Sequence, residues 1–412
     1  MWSVPEYGIL IFASTCIDYI AGRIIGDTRS DSRTEDLESN QRIRKLALIV
    51  SLLMNLGILG YYKYHDFFLT SFIEFINTLH PDAIGPGTRY ELLARLILPV
   101  GISFFTFQSM SYTIDAYRGV LPPEKDFIKF ALFVSFFPQL VAGPIVTAKE
   151  FLPQLQEEKP MDSDLMRQAA RWFALGYFKK VVLADNMAPI VDTIYSNPYA
   201  YDTAGHWLGA FGFWIQVYCD FSGYSDMAWG AAMFLGFRLP ENFRLPYLSR
   251  SVTEHWQRWH ISLIRWNRDY LYFPLGGNRV SFWRHKFNVW FTMFVAGVWH
   301  GANWTFIIWG SIHGSIMAAE STWRDVKAHI NERWRRKQGT DLDVEGSTRR
   351  LDGSRKSEAV RFFGANWPLD IVRLCATSFV TIFFGTMFRA QNIDHAWMIL
   401  GRMLGLQSNC QN

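Results

Sequence analysis

Thirty-three consecutive residues, FNVWFTMFVAGVWHGANWTFIIWGSIHGSIMAA (287–319), contain no Asp, Glu, Lys or Arg. A bilayer span takes about 20 mostly apolar residues, with a working range of about 17–25. The run is too long for one untilted span. Its Gly301-Ala302-Asn303 step predicts a break that leaves a bent helix or a tight helical pair.

The rest of the chain repeats the signal. Residues 43–62, IRKLALIVSLLMNLGILGYY, are basic only at their start, and Tyr61, Tyr62 and Tyr64 read as an interfacial belt. Residues 4–22 form a second candidate, interrupted by Glu6 and Asp18. Residues 92–114 carry Pro99 and Gly101 in the middle of an apolar window, the mark of a kinked span or a re-entrant segment. Further windows cover 127–147, 207–219 with 221–237, and 371–388. Together they predict an all-α polytopic membrane protein with about eight to ten embedded helices in one unit over residues 1–412.

Composition agrees once it is resolved by segment. Charged residues make up 19% of the 412, below the roughly 25% of soluble domains, and aromatic residues make up 17%. The mean hydropathy of +0.02 averages uncharged spans with polar stretches. Residues 23–45 hold six Lys/Arg and five Asp/Glu, and 321–361 include Arg333, Arg335, Arg336, Lys337, Arg349 and Arg350. Both are expected to be cytoplasmic loops by the positive-inside rule, and 80–91 to lie outside. Residues 240–286 mix charges with aromatics and suit interfacial or re-entrant helices. A net charge of +4 gives no argument for nucleic acid as a partner. The four cysteines, Cys16, Cys219, Cys375 and Cys410, have no disulfide-framework or metal spacing. No HExxH, CxxC, GxGxxG, Walker loop or Gly-x-Ser-x-Gly occurs, and Gly276-Gly277-Asn278 reads as a tight turn.

Several polar residues are out of place in such a chain. His300 sits inside the longest uncharged run, and an ionisable group within a membrane segment marks a functional hypothesis. A neutral imidazole accepts a proton, and its ordinary pKa is about 6.5. The structural alternative is a ring that bonds a carbonyl and locks a helix bend. His255 and His260 lie in TEHWQRWHISLIRWNRDYLYF, where Trp256 and His260, four apart, share a face of a basic amphipathic helix. Spacing alone leaves either histidine open as the reactive one. His313 reads as a packing or hydrogen-bonding group. Asp220 and Asp226 flank FSGYS; capping or pairing with nearby arginines is the plain reading, and a proton path needs the Ser222-Gly223 step to bring them round.

At this point the segments HWQRWHISLIRWNRDYLYFPLGGNR (255–279) and VAGVWHGANWTFIIWGSIHG (295–314) resemble the membrane-bound O-acyltransferase family, more narrowly its bacterial envelope-polymer branch. The segments at 98–119, 136–145 and 216–249 belong to the same signature, and PLGGNR leans toward polysaccharide O-acetylation rather than D-alanyl transfer. The resemblance implies a ring of helices around a thinned, funnel-like centre, with acyl donor and acceptor approaching from opposite faces. It assigns His300, in the WHG motif, as catalytic and His260, at the end of RWH, as the second histidine. Members of this branch usually carry a further hydrophobic segment before the one at 4–22 and further spans beyond FFGTMFRAQNIDHAWMILGRMLG, so against the family this chain is expected to lack terminal spans at both ends.

The function expected from the resemblance is acyl transfer in the bacterial cytoplasmic membrane, most simply of acetyl. The donor is a cytoplasmic thioester, acetyl-CoA or an acyl carrier protein, with no bound cofactor or metal. The acceptor is a hydroxyl of an envelope polysaccharide or of a periplasmic acyltransferase- or esterase-like partner. His300 would take the hydroxyl proton; His260 would orient the donor or stabilise the oxyanion. Trp299, Asn303 and Trp304 would wall the cavity along with Asp220 and Asp226. Arg265 and Arg268 would hold donor phosphates, or else lipid headgroups. The competing readings are an exporter of an acylated intermediate and a catalytically silent scaffold.

Overall fold

The computed structural model describes residues 6–30, 37–81, 98–159, 162–337 and 367–406, with isolated positions between 83 and 93. The described residues are helical, with no strand among them. The far part of the basic stretch (338–361), residues 31–36 of the first polar stretch and Cys410 lie outside the described residues.

Helix α1 (Glu6–Ser30) and α2 (Leu37–Leu59) pack as a pair against α4 (Ile102–Arg118). A π-helical turn (Gly60–Tyr64) joins α2 to α3 (His65–Leu79), so Glu38–Leu79 is one continuous helical stretch of 42 residues. The tyrosines therefore do not close a span at a belt. Tyr61 is half exposed, but Tyr64 is buried and its hydroxyl donates to Val298 O at 2.7 Å.

Asp18 does not break α1. It is fully buried and accepts from Ser51 Oγ (2.5 Å), Asn55 Nδ2 (2.9 Å) and Thr113 Oγ1 (3.2 Å), tying α1, α2 and α4 together. Interhelical polar bonds of this kind hold helices together where lipid supplies no hydrophobic drive. Ile9, Phe12, Leu46, Leu53, Phe68 and Phe75, by contrast, are largely exposed, as side chains facing lipid tails must be.

Two windows fold differently from a plain span. In 92–114, α4 begins at Ile102, preceded by Gly101 at φ 80°, a left-handed residue that caps it; 92 and 94–97 lie outside the described residues. In 127–147, α5 (Phe127–Ser135) stops after nine residues, α6 (Phe137–Leu140) adds one turn around Pro138, and 141–147 are not a regular helix. The segment is a broken helix packed into the interior, with Phe130, Phe133 and Ile145 buried. After α7 (Ala148–Phe151), α8 (Ser163–Tyr177), a second π turn (Phe178–Ala184) and α9 (Asp185–Ser196) run alongside α10 (Thr203–Phe234). α10 is 32 residues long, or about 48 Å, and passes through Ser222-Gly223 without a break.

Between α10 and the long run lie the short helices α11 (Val252–Arg258) and α12 (Ile261–Asn267), then a third π turn (Arg268–Tyr272). These are not one amphipathic helix. Trp259 is extended and His260 has φ 46°, so the chain turns sharply and the four-residue spacing does not put Trp256 and His260 on one face.

The uncharged run breaks where expected. α13 (Phe282–His300) ends, and α14 (Trp304–Lys337) begins, on either side of Gly301–Asn303. They form an antiparallel pair at close approach: a Cβ on Gly297 would lie 2.5 Å from Phe306 O, and one on Gly310 2.6 Å from Met293 O. α14 extends through residues 321–337, which are helix rather than loop. α15 (Trp367–Gly385), a 3-10 turn (Thr386–Phe388) and α16 (Ile393–Met403) complete the fold.

Three described stretches are long and apolar enough to cross a membrane by length and composition: Gly8–Thr28, Glu38–Leu79 and Trp367–Phe388. α10, α13 and α14 have the length too, but polar residues on them face the protein interior.

A chain of contacts identifies one end of the molecule. Arg44 donates to Tyr117 O, Arg118 to Asp269 O, Asn288 to Leu275 O, and Lys286 pairs with Asp325 at 2.5 Å. His300 lies at the other end of α13, 19 residues or about 28 Å away.

Candidate active site

Three packing clusters surround the centre, one of them the small group around Phe107, Trp266 and Trp299. Of the two larger ones, one is built from α1, α2, α4, α5 and α7 around Tyr112, Phe130, Phe133 and Phe151; the other joins α9 to α11 and α13 to α16 around Trp256, Met293, Trp309 and Met387. Between them a cavity of about 420 Å³ is lined by four histidines, His255, His260, His300 and His313, with Trp299 and Asp220 among the other walls.

His300 is the last residue of α13, and its ring meets Trp299, Trp309 and Phe388 with centroids 5.1, 5.5 and 4.9 Å away. The helix pair places it: the Gly297–Gly310 contact fixes α13 against α14, and Trp309 closes one side of the imidazole.

His260 is held more tightly. It is 1% exposed, and its left-handed backbone is rare for a residue with a side chain; such strain concentrates at functional sites. Nδ1 lies 3.1 Å from Asn242 Oδ1, which also accepts from Ser262 Oγ at 2.9 Å, while Asn242 Nδ2 donates to Ser225 Oγ at 3.1 Å. An amide oxygen only accepts, so Nδ1 of a neutral His260 carries the proton and Nε2 carries the lone pair. Nε2 is buried and has no partner among the described residues. Trp299, 5.9 Å from the His260 ring and 5.1 Å from that of His300, stands between the two histidines.

The other two histidines are anchored by their neighbours. His255 Nδ1 bonds Pro246 O at 3.2 Å, and its ring stacks on Trp259. His313 Nδ1 accepts from Trp256 Nε1 at 3.3 Å.

The remaining expected site residues separate. Asp220 lines the cavity and pairs with Lys180 at 2.7 Å. Asp226 pairs with Lys179 at 2.6 Å and does not line it. Both partners are lysines of the second π turn rather than arginines, and the two carboxylates stay apart along continuous α10. Asn303 sits outside the cavity: Oδ1 accepts from Thr305 N at the start of α14, and Nδ2 donates to Gln391 O at 2.9 Å. Trp304 is half exposed against α3, its Nε1 donating to Ser71 Oγ and its ring beside Phe67. Of the expected tryptophans, only Trp299 walls the cavity. Arg265 is engaged with Glu150 at 2.6 Å, and Arg268, half exposed, with Asp269 at 2.8 Å; neither reaches the cavity.

Sequence reasoning missed two residues. Asn242 lies in the 216–249 segment but carries no pattern of its own. Lys63 was hidden among three tyrosines, although a lysine within a long apolar helix was itself a signal. It lines the central cavity with His300. Among the described residues no group of three or more His, Cys, Asp or Glu could hold a metal ion.

A membrane-embedded all-helical chain with a histidine pair on one central cavity is the class these features define. The profile described as MBOAT, membrane-bound O-acyltransferase family, matches residues 91–339. The chain belongs to the membrane-bound O-acyltransferase family. It is 44% identical over 321 residues to a probable alginate O-acetylase of Pseudomonas aeruginosa, covering 77% of this chain and 58% of that protein. It is 32% identical to a peptidoglycan O-acetyltransferase of Helicobacter pylori, covering 98% of this chain and 71% of that protein. A teichoic acid D-alanyltransferase of Bacillus subtilis is more distant, 30% identical over 54% of this chain and 59% of its own length. The chain spans between 49% and 61% of the length of the alginate O-acetylases it matches.

Proposed function

We propose that this chain carries the transfer centre of a membrane O-acetyltransferase acting on envelope polymers. The reading rests on one observation above all: the WHG and RWH histidines, 40 residues apart in sequence, line one cavity beside the same tryptophan. The names of the relatives support a polymer hydroxyl as acceptor. In this reading the end bearing Arg44, Arg118 and Lys286 is cytoplasmic, by the positive-inside rule, and His300 lies toward the opposite face. A cytoplasmic thioester, acetyl-CoA or an acylated carrier protein, reaches down the cavity. The acceptor, glycan or a periplasmic partner protein, comes from the other side.

Neutral His300 takes the proton of the acceptor hydroxyl as its oxygen bonds to the thioester carbonyl carbon. The carbonyl π pair moves to oxygen. Collapse then breaks the C–S bond, the ester leaves on the acceptor, and the thiolate recovers the proton from the imidazolium. A positioned base contributes about 10²–10⁴-fold, and holding both reactants in one cavity adds an entropic gain. The tautomer set by Asn242 suits His260 to accept a hydrogen bond from a reactant rather than to donate one to an oxyanion. Trp299 excludes water and limits thioester hydrolysis. The protein in liposomes, given radiolabelled acetyl-CoA and extracted envelope glycan, should place label in a hydroxylamine-labile ester. Label recovered only as free acetate or unreacted thioester contradicts the reading.

A further inference from the structure

The central cavity is not the only space that reaches His300. A second one, of about 260 Å³, opens among Tyr61, Tyr62, Asp66 and Gly301. The two share two lining residues, His300 and Lys63. A reactant passing between them, or two reactants meeting from opposite sides, encounter both groups together.

Lys63 occupies the first π turn, an irregularity that recurs at functional sites. Its ammonium donates to Ser103 Oγ at 3.0 Å and to Trp299 O, the carbonyl just before His300. No carboxylate among the described residues pairs with it. The structural alternative is a staple: Lys63 satisfies an orphan carbonyl of the last turn of α13 and complements its dipole. Tyr64, however, already donates to Val298 O in that turn without charge. A cation with no carboxylate partner among the described residues is a costly way to make one more such bond within a membrane protein.

We propose that Lys63 is a catalytic residue, whose ammonium donates to the carbonyl oxygen of the acyl group as that oxygen becomes an oxyanion. This rests on the acyl-transfer reading above. His300 takes the proton, the carbonyl π pair passes to the oxygen facing Lys63, and the pair returns when the C–S bond breaks. Lys63 keeps its own proton throughout. Two of its three N–H groups are already directed by Ser103 and Trp299 O, which aims the third without reorganisation during the reaction.

The test compares wild type, Lys63→Met, Lys63→Gln and Lys63→Arg in liposomes with acetyl-CoA and extracted envelope glycan. Lys63→Met should lower kcat about 10²–10³-fold, the loss expected for one oxyanion donor, and leave KM for acetyl-CoA nearly unchanged. Lys63→Arg should recover most of the loss. Two CoA probes separate chemistry from scaffolding: the thioether S-ethyl-CoA should bind Lys63→Met as it binds wild type. The trifluoromethyl ketone analogue of acetyl-CoA, which hydrates to a tetrahedral carbon, should lose about 10²-fold in affinity. Turnover of Lys63→Met at the wild-type rate, or equal loss of both probes, overturns the proposal. If Lys63→Met fails to accumulate, Lys63→Gln decides, since it keeps a donor for Trp299 O without charge; activity equal to that of Lys63→Arg overturns the proposal. Wild type that transfers no label at all is a different result and removes the acyl-transfer reading itself.

Discussion

Asn242 carries more of the site than its exposed-sounding sequence context implies. One side-chain oxygen accepts from His260 Nδ1 and Ser262 Oγ, and the amide nitrogen reaches Ser225 on α10. Asn242→Leu leaves those buried donors unpaired, which costs about 1–3 kcal/mol of stability. It also frees the imidazole to turn or change tautomer. We expect kcat/KM to fall by up to about 10²-fold, the scale of a 1 Å misplacement. Transfer assays alongside thermal unfolding in detergent check both effects. The motifs singled out two histidines that line one cavity, but not the environment of either. A left-handed His260 has no glycine or proline to announce it, and its orienting partner lies 18 residues earlier in a stretch without periodicity. The lysines that pair with Asp220 and Asp226 were illegible for the same reason: the Lys179–Asp226 pair closes across 47 positions.

At the scale of elements, the α13–α14 pair and the α1–α2–α4 bundle make opposite demands. The first is a seam of backbone contact. Gly297→Leu places a side chain where Phe306 O and Gly310 already touch, so the helices must part. We expect destabilisation of about 1–3 kcal/mol or more, with transfer lost as His300 moves; a lowered Tm in detergent measures it. The second bundle depends on a polar knot. Asp18→Leu strands Asn55, Ser51 and Thr113 in an apolar interface and should cost about 1–3 kcal/mol, while any folded fraction keeps its transfer chemistry because the knot does not reach the cavity. The break at Gly301–Asn303 was readable because glycine and asparagine punctuate a helix. The broken path of 127–147 was not, since an apolar window with a single lysine reads alike whether it runs through as one helix or folds back inside the protein.

Across the whole molecule, the hydropathy pattern identified a membrane protein but not its interior. The apolar helices that face lipid, α1, α2 with α3, and α15, are the ones that meet a simple spanning criterion. The helices that build the site, α10, α13 and α14, bury polar side chains such as Ser222, Asn288 and His313, and the charged stretches, the exposed end of α14 among them, lower the mean hydropathy. The proposed reaction needs a base, a cation and an enclosed space supplied by side chains. Dialysis against EDTA should therefore leave the transfer rate unchanged, as label incorporation before and after will report.

The central claim, that His300 performs acyl transfer, has one direct measurement. Wild type and His300→Ala are purified to equal amounts, inserted into liposomes, and given radiolabelled acetyl-CoA and envelope glycan for a single turnover. The account predicts that the variant inserts normally, unfolds near the wild-type temperature, and forms ester at least about 10²-fold more slowly. Ester formed at the wild-type rate by His300→Ala would contradict it.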